Sequence, residues 1–314
     1  FQFPCIGSGV VVAPVVSEMA SIYRDTLLRQ MDDTYKKANN AYFVGGPGEA
    51  ISMLNKNLDL DIEDYATVDF KAMADVVDLM GGIEIEVTDA EADMLNDYVG
   101  ETAKAAKKKA NKLDGAGTYL MDGPQAVTYA RLRKLEGGDY KRTERQRTVI
   151  MKLFEKVKTT DIATLNEIID TVFPQVSTSF TLKKIIGMSS ALMKYKLAES
   201  EGFPFEKTDG VTYPEAGDVV VAQGLAENVR ELHEFLYPHK ATEQVSDTVQ
   251  MISDEIMNLT GVVRPAELDE DAGEGGDGQE DGLQEEDGYE DADVMEDDGY
   301  EDDSYTEDEY TEDE

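Results

Sequence analysis

A single cysteine, Cys5, no tryptophan and only two histidines leave little room for several common chemistries. One thiol supports neither an internal disulfide framework nor a Cys-type zinc site. The histidines, His233 and His239, lie near the end of the folded body, and His233 sits within a predicted helix, which argues against a histidine-based triad. No apolar run reaches the roughly 18 residues that cross a bilayer as a helix. The longest apolar-rich stretch, Ile6 to Val16, is interrupted by Gly7, Gly9 and Pro14. Walker-type phosphate loops are absent, and Gly45-Gly46-Pro47-Gly48 does not reproduce a dinucleotide fingerprint.

Basic residues are also scarce, with Lys+Arg 29 against Asp+Glu 67, and none occurs in the last fifty positions. Residues Glu267 to Glu314 supply −26 of the formal net charge of −38, leaving −12 for the body. Beyond Pro265, Gly, Asp, Glu and scattered Tyr replace the aliphatic residues, which predicts a disordered polyanion over 264–314. Asp287-Gly288-Tyr289-Glu290-Asp291 recurs as Asp298-Gly299-Tyr300-Glu301-Asp302, without the EF-hand loop pattern. Solvation and repulsion explain this repeat better than calcium. A chain of this charge is a poor partner for nucleic acid. The remaining body of roughly 265 residues is long enough for one domain with a substantial core.

Against this acidic background, residues 129–147, YARLRKLEGGDYKRTERQR, concentrate arginine. Read as a strand, Tyr129 to Arg133 places Tyr129, Arg131 and Arg133 on one face. Asp139, after Gly137-Gly138, is the N-cap candidate for a helix to about Lys158, with Val149, Ile150, Leu153, Phe154 and Val157 at helical spacing. The first two turns hold Lys141, Arg142, Arg145 and Arg147, although the positive end of the helix dipole disfavours each cation by roughly 0.3–1 kcal/mol. An anion removes that conflict. Arg142 and Gln146 continue the stripe that becomes apolar at Val149, so the pattern reads as a phosphate or pyrophosphate site. The competing reading is a solvated basic helix paired with carboxylates such as Glu136 and Glu144.

Elsewhere, Val10 to Ile22 reads as one or two strands broken at Pro14, leading to Tyr23-Arg24-Asp25-Thr26. Helices are expected over Gly48–Leu58, Phe70–Met80, Leu165–Val172, Leu182–Lys196, Leu225–Tyr237 and Val245–Leu259. Strands are expected over Tyr65–Val68, over Val219–Val221 and over Ile83–Val87, the last with its glutamates outward. Glu101 to Lys112 reads as an exposed excursion with Lys107 to Lys109 solvated. Mixed strands and helices favour an α/β fold, a sheet covered by helices.

Four blocks resemble the LytR-CpsA-Psr family of glycopolymer transferases: SIYRDT (21–26), YKKANNAYFVGG (35–46), VDLMGGIEIEVTDAE (77–91) and the stretch from Leu120 to Arg147. Weaker likeness continues in GFPFE (202–206) and ENVRELHEFLY (227–237). The resemblance implies an α-β-α sandwich with a central mixed sheet and an apolar lipid pocket. With the composition, it divides the chain into a divergent or non-native segment 1–19, a catalytic domain 20–263 and the acidic tail 264–314. It implies transfer of a wall glycopolymer, such as teichoic acid or capsule, from a polyprenyl-pyrophosphate carrier to peptidoglycan at the extracytoplasmic face of the membrane. By motif position, Arg24, Arg131, Arg133, Arg142 and Gln146 are the catalytic head-group contacts. Lys37, Asn39, Asp139 and Arg145 are substrate-binding candidates. The resemblance also implies Mg²⁺, yet the family's Gly-x-Asp and Arg-Ser-Asp contexts are missing upstream of Glu18, so its ligands are not identified. A start at Phe1 fits a fragment or processed form, with a membrane anchor expected upstream. A non-catalytic binder of lipid-linked polymer and a pyrophosphate-lipid phosphohydrolase stay open as alternatives.

Overall fold

The computed structural model describes residues 9–12, 17–133, 135, 137–181, 183–185, 197–238 and 244–265. The expected acidic tail from residue 266, His239 and most of the helix expected over Leu182–Lys196 lie outside the described residues. The elements alternate as expected of a mixed α/β protein. Strand β1 (Gly9–Val12) runs antiparallel to β2 (Ser17–Ile22), and β2 runs parallel to β9 (Leu197–Phe203), giving a sheet of mixed direction. Ile22 pairs with Phe203, so the two strands end together, and the Tyr23 N–H donates to the Phe203 carbonyl at 2.9 Å.

Short strands β3 (Leu27–Arg29) and β4 (Tyr35–Lys37) form a hairpin that leads into helix α1 (Asn39–Leu58). The helix starts nine residues before the expected Gly48, but Gly46 at φ 67° breaks it ahead of Pro47. Gly45 to Gly48 therefore marks a kink rather than a helix start. Strand β5 (Ala66–Thr67) pairs with β8 (Ser177–Thr178). Helix α2 (Phe70–Leu79) starts where the Asp69 carboxylate accepts the Ala72 N–H at 2.7 Å. In β6 (Ile83–Val87), Ile83, Ile85 and Val87 are buried while Glu84 and Glu86 face water, the alternation expected of a half-covered strand. β7 (Gly117–Met121) pairs with it antiparallel.

Helix α3 (Asp89–Ala105) is opened by a capping box between Thr88 and Glu91. Helix α4 (Gly123–Arg131) begins with the same device, Asp122 with Gln125, and carries Pro124 in its first turn. Helices α5 (Gly138–Thr159) and α6 (Ile162–Val172) follow. The hairpin β10 (Lys207–Tyr213)/β11 (Gly217–Ala222) precedes α7 (Leu225–Leu236) and α8 (Asp247–Thr260).

Two large hydrophobic clusters among the described residues hold these elements, with a small third one at Ala74, Ala106 and Val127. Ile22, Leu28, Met53, Phe203, Val221, Leu232 and Ile252 gather β2, β3, α1, β9, β11, α7 and α8. Val77, Ile85, Leu95, Met121, Tyr129, Val149 and Leu153 gather α2 to α5 with β6 and β7. His233 has the structural place its helix suggested, with Nε2 2.8 Å from the Leu58 carbonyl.

In the lysine run Lys107 and Lys109 are exposed as expected, and Lys108 alone is engaged. Lys108 Nζ bridges Asp75 (2.8 Å) and Asp78 (2.7 Å), and Lys71 reaches Asp75 at 2.7 Å. Burial pushes the Asp75 carboxyl up, but the two ammonium groups and Gln175 outweigh it and hold it at about 2. A depressed carboxylate stabilises the fold above its unfolded pKa of 3.8 and loses that contribution as pH falls toward its folded value. Asp75→Asn is therefore expected to cost about 1–2 kcal/mol near pH 7. The gap to the parent should narrow near pH 3, as read by urea unfolding at the two pH values.

Candidate functional site

The strand expected over Tyr129–Arg133 is the end of α4 followed by extended backbone. The capping box at Asp122 and Pro124 favours helix from Gly123 onward, and Leu132 leaves the helix at ψ 124°. Arg131 and Arg133 thus reach the site from a helix end rather than from alternate strand positions. Arg131 Nη1 donates to the buried Thr102 hydroxyl at 2.9 Å, and its guanidinium lies 4.3 Å from the centre of the Phe70 ring. Asp139 is not the N-cap. Gly137 takes that place in the left-handed region, the helix begins at Gly138, and Asp139 stands in its first turn. Its carboxylate instead pairs with Arg142 at 2.9 Å and with Arg133 at 3.7 Å.

From the other core comes the loop after β2. Both Asp25 carboxylate oxygens accept from Arg24, at 2.8 and 3.1 Å, and Lys37 Nζ lies 3.7 Å from one of them. The Asn39 backbone N–H donates to the Arg24 carbonyl at 3.2 Å, so Asn39 fixes the loop through its backbone. Arg24 and Arg133 are close enough to oppose each other. Burial and the neighbouring Arg24 charge push the Arg133 guanidinium below its ordinary pKa, with Arg131 adding to the effect and Asp139 and Asp25 opposing it. Hydrogen bonding to Asp25 raises Arg24.

The structure therefore brings together Arg24, Lys37, Arg131, Arg133, Asp139 and Arg142. Arg142 is 1% exposed, and a cation buried this deeply is costly without anionic company. Gln146, also buried, lies one turn along α5 from Arg142 and donates to the Ala130 carbonyl at 3.4 Å. Arg145 faces elsewhere, bonded to Glu91 at 2.8 Å and to the Leu132 carbonyl at 3.3 Å, and ties α5 to α3.

Sequence reasoning missed a neighbouring group. Arg147 is buried, and its guanidinium is near enough to the Tyr23 hydroxyl to oppose the rise that burial causes in the Tyr23 pKa. The Tyr23 and Tyr140 rings meet edge to face at 4.5 Å, and Lys207 Nζ lies 5.2 and 5.1 Å from their centres. Tyr140 also hydrogen-bonds Asp209 on β10. No local signal joins the tyrosine beside Arg24 to the arginine after Gln146, because the two are far apart in sequence.

Among the described residues the arginine cluster offers no ligand set for the Mg²⁺ that the resemblance implies. Among the described residues no three His, Cys, Asp or Glu side chains gather as a metal site. The carboxylates of the arginine cluster, Asp25 and Asp139, are already held by guanidinium groups.

A family model, the LytR_cpsA_psr family, matches residues 15–227, and the chain belongs to that family. The polyisoprenyl-teichoic acid–peptidoglycan teichoic acid transferase TagV of Bacillus subtilis is 31% identical over 170 residues, 52% of this chain and 41% of TagV. TagU of the same species is 27% identical over 227 residues, covering 70% of this chain and 67% of TagU. TagT of B. subtilis is 28% identical, and the chain spans 59% of it. The crystal structure of B. subtilis TagV superposes with a TM-score of 0.56 at 24% identity, covering 70% of this chain and 84% of TagV. TagT bound to LI-WTA gives 0.52 at 22% identity, covering 79% of this chain and 80% of TagT. The fold is that of this family, as its sequence blocks implied.

Proposed function

We propose that the chain is a phosphotransferase that moves a wall glycopolymer from a polyprenyl-pyrophosphate carrier to peptidoglycan, at the extracytoplasmic face of the membrane. The observation that carries the reading is the convergence of Arg24, Arg131 and Arg133 within electrostatic reach of one another, with Arg133 held among like charges. A pyrophosphate supplies the missing negative charge, and planar guanidinium forks match its oxygens. The transferase names of TagV, TagU and TagT support the same class of reaction.

In this reaction an acceptor sugar hydroxyl attacks the phosphorus joined to the glycopolymer. A new P–O bond forms, the bond to the bridging oxygen breaks, and polyprenyl phosphate leaves with that oxygen. The hydroxyl proton passes to solvent or to the departing phosphate. Arg133 and Arg24 neutralise the charge that grows on the bridging and terminal oxygens. Arg142, seated on Asp139, and Gln146 fix the head group from α5. The prenyl chain then takes the apolar pocket that the family resemblance implies. No step is assigned to Mg²⁺. A binder of lipid-linked polymer without turnover is the second reading, because the carboxylates of the cluster, Asp25 and Asp139, are held by guanidinium groups.

Incubation with a polyprenyl-pyrophosphate-linked glycan and a peptidoglycan fragment separates the readings by mass spectrometry of products. Transfer yields a new phosphodiester to the fragment together with polyprenyl phosphate. Polymer released without that linkage indicates hydrolysis, and retained lipid with no product indicates a binder; either result overturns the transferase reading.

A further inference from the structure

The segment from Ala38 to Gly48 is eleven residues without a charge in a chain that is 31% charged. Its centre is unusually exposed. Phe43 is 88% accessible and Val44 70%, whereas Ala41 before them and Ala50 after them are buried. They occupy the first turns of α1, ahead of the break at Gly46, so the apolar pair projects from a short helical tip.

The tip is fastened to the arginine site. The Ala38 N–H donates to the Thr26 carbonyl at 2.8 Å and the Asn39 N–H to the Arg24 carbonyl at 3.2 Å. Phe43 follows Asn39 by about one helical turn, a rise of about 6 Å. Lys36 and Lys37 immediately precede the uncharged run, and Arg24 stands beside its start. An acidic body of net charge −12 thus carries, beside its arginine cluster, a patch where exposed apolar side chains follow cations in the chain.

We infer that the Phe43–Val44 tip inserts into the interface of an anionic phospholipid bilayer and holds the arginine cluster at the membrane surface. The inference rests on the proposed use of a polyprenyl carrier, because such a carrier is extracted from a bilayer. Amphipathic tips with apolar side chains buried at the headgroup boundary and cations beside them bind in this way, and salt weakens the cationic part. The tip is not a head-group contact, since neither side chain has a polar atom to offer a phosphate.

The absence of tryptophan makes the test direct, because Phe43→Trp introduces the only indole. Vesicles of phosphatidylcholine and phosphatidylglycerol should shift its emission to the blue, and brominated acyl chains should quench it. Ile162→Trp, an equally exposed site on α6, should show neither response. Phe43→Ser/Val44→Ser should weaken vesicle association about tenfold or more. The same variant should bind a water-soluble, short-chain polyprenyl pyrophosphate like the parent. An unchanged Phe43→Trp spectrum, or an equal response at Ile162→Trp, overturns the inference. A Phe43→Trp response in a protein that does not bind the soluble pyrophosphate sustains the membrane tip and overturns the head-group reading instead.

Discussion

Arg133→Ala is expected to weaken binding of polyprenyl pyrophosphate by about 10- to 100-fold, the worth of one or two charge-assisted hydrogen bonds, without lowering thermal stability. Arg133 is 49% exposed at its side chain, and its carboxylate partner Asp139 is 3.7 Å away and already engaged by Arg142. Against that weak attraction stand desolvation and the charges of Arg24 and Arg131. In the free protein, removing it relieves repulsion. In the complex, removing it forfeits a guanidinium fork on the phosphate.

Arg131→Ala should behave differently, losing affinity and stability together, because its side chain also satisfies Thr102 and covers Phe70. Native mass spectrometry of retained lipid, run beside thermal unfolding, checks both variants. If Arg133→Ala retained lipid like the parent, the cluster would be a solvated basic surface and the transferase reading would lose its support. Coupled losses of lipid and stability at Arg133 would instead show a structural ion pair.

How much of this site was legible from the chain depends on the range over which each signal acts. The dipole conflict and the stripe at the start of α5 are local, and they singled out Arg142 and Gln146, both of which the fold buries. Tyr129 to Arg133 misled because Y-A-R-L-R alternates like a strand, while the stronger signals lay upstream. Asp122, Pro124 and Gln125 are a complete helix start, and a cap that satisfies free N–H groups outweighs five residues of alternation. Asp139 looked like a cap because it follows two glycines, but those glycines adopt left-handed conformations and start the helix before it. The hairpin of β3 and β4 was not read at all, since three-residue strands carry too little periodicity.

The Tyr23–Arg147 contact could not be read locally either. It joins residues far apart in sequence, and only the fold places α5 under the end of β2. Arg145 shows the converse. Its place in the first two turns put it among the substrate-binding candidates, and the helix turns it toward Glu91, whose carboxyl burial raises but Arg145 and the Thr88 N–H hold low.

Gly123→Ala should produce the largest loss of stability, about 3 kcal/mol or more, because the added methyl has nowhere to go. A Cβ at Gly123 would stand 2.2 Å from the Ala74 carbonyl oxygen and 2.7 Å from its Cα, all backbone of α2. Neither helix can yield without separating α2 from α4, and the Gly123 N–H is itself bonded to Asp78 at 2.6 Å. Since α4 ends at Arg131, the loss should reach the site as well.

Gly202→Ala makes the informative comparison. There the clash is with the far end of a side chain, the Tyr23 hydroxyl at 2.1 Å, which can swing aside. The cost in folding should be smaller, but Tyr23 would leave Arg147 and drag on Arg24, its immediate neighbour. Thermal unfolding should therefore rank Gly123→Ala as the more damaged fold. Lipid retention measured well below both melting temperatures should show Gly202→Ala losing more affinity than its stability accounts for. A Gly202→Ala protein that unfolds as readily as Gly123→Ala would mean that Tyr23 is locked by Arg147 and Lys207 as firmly as backbone. Normal retention in that variant would mean that Arg24 holds its place without Tyr23.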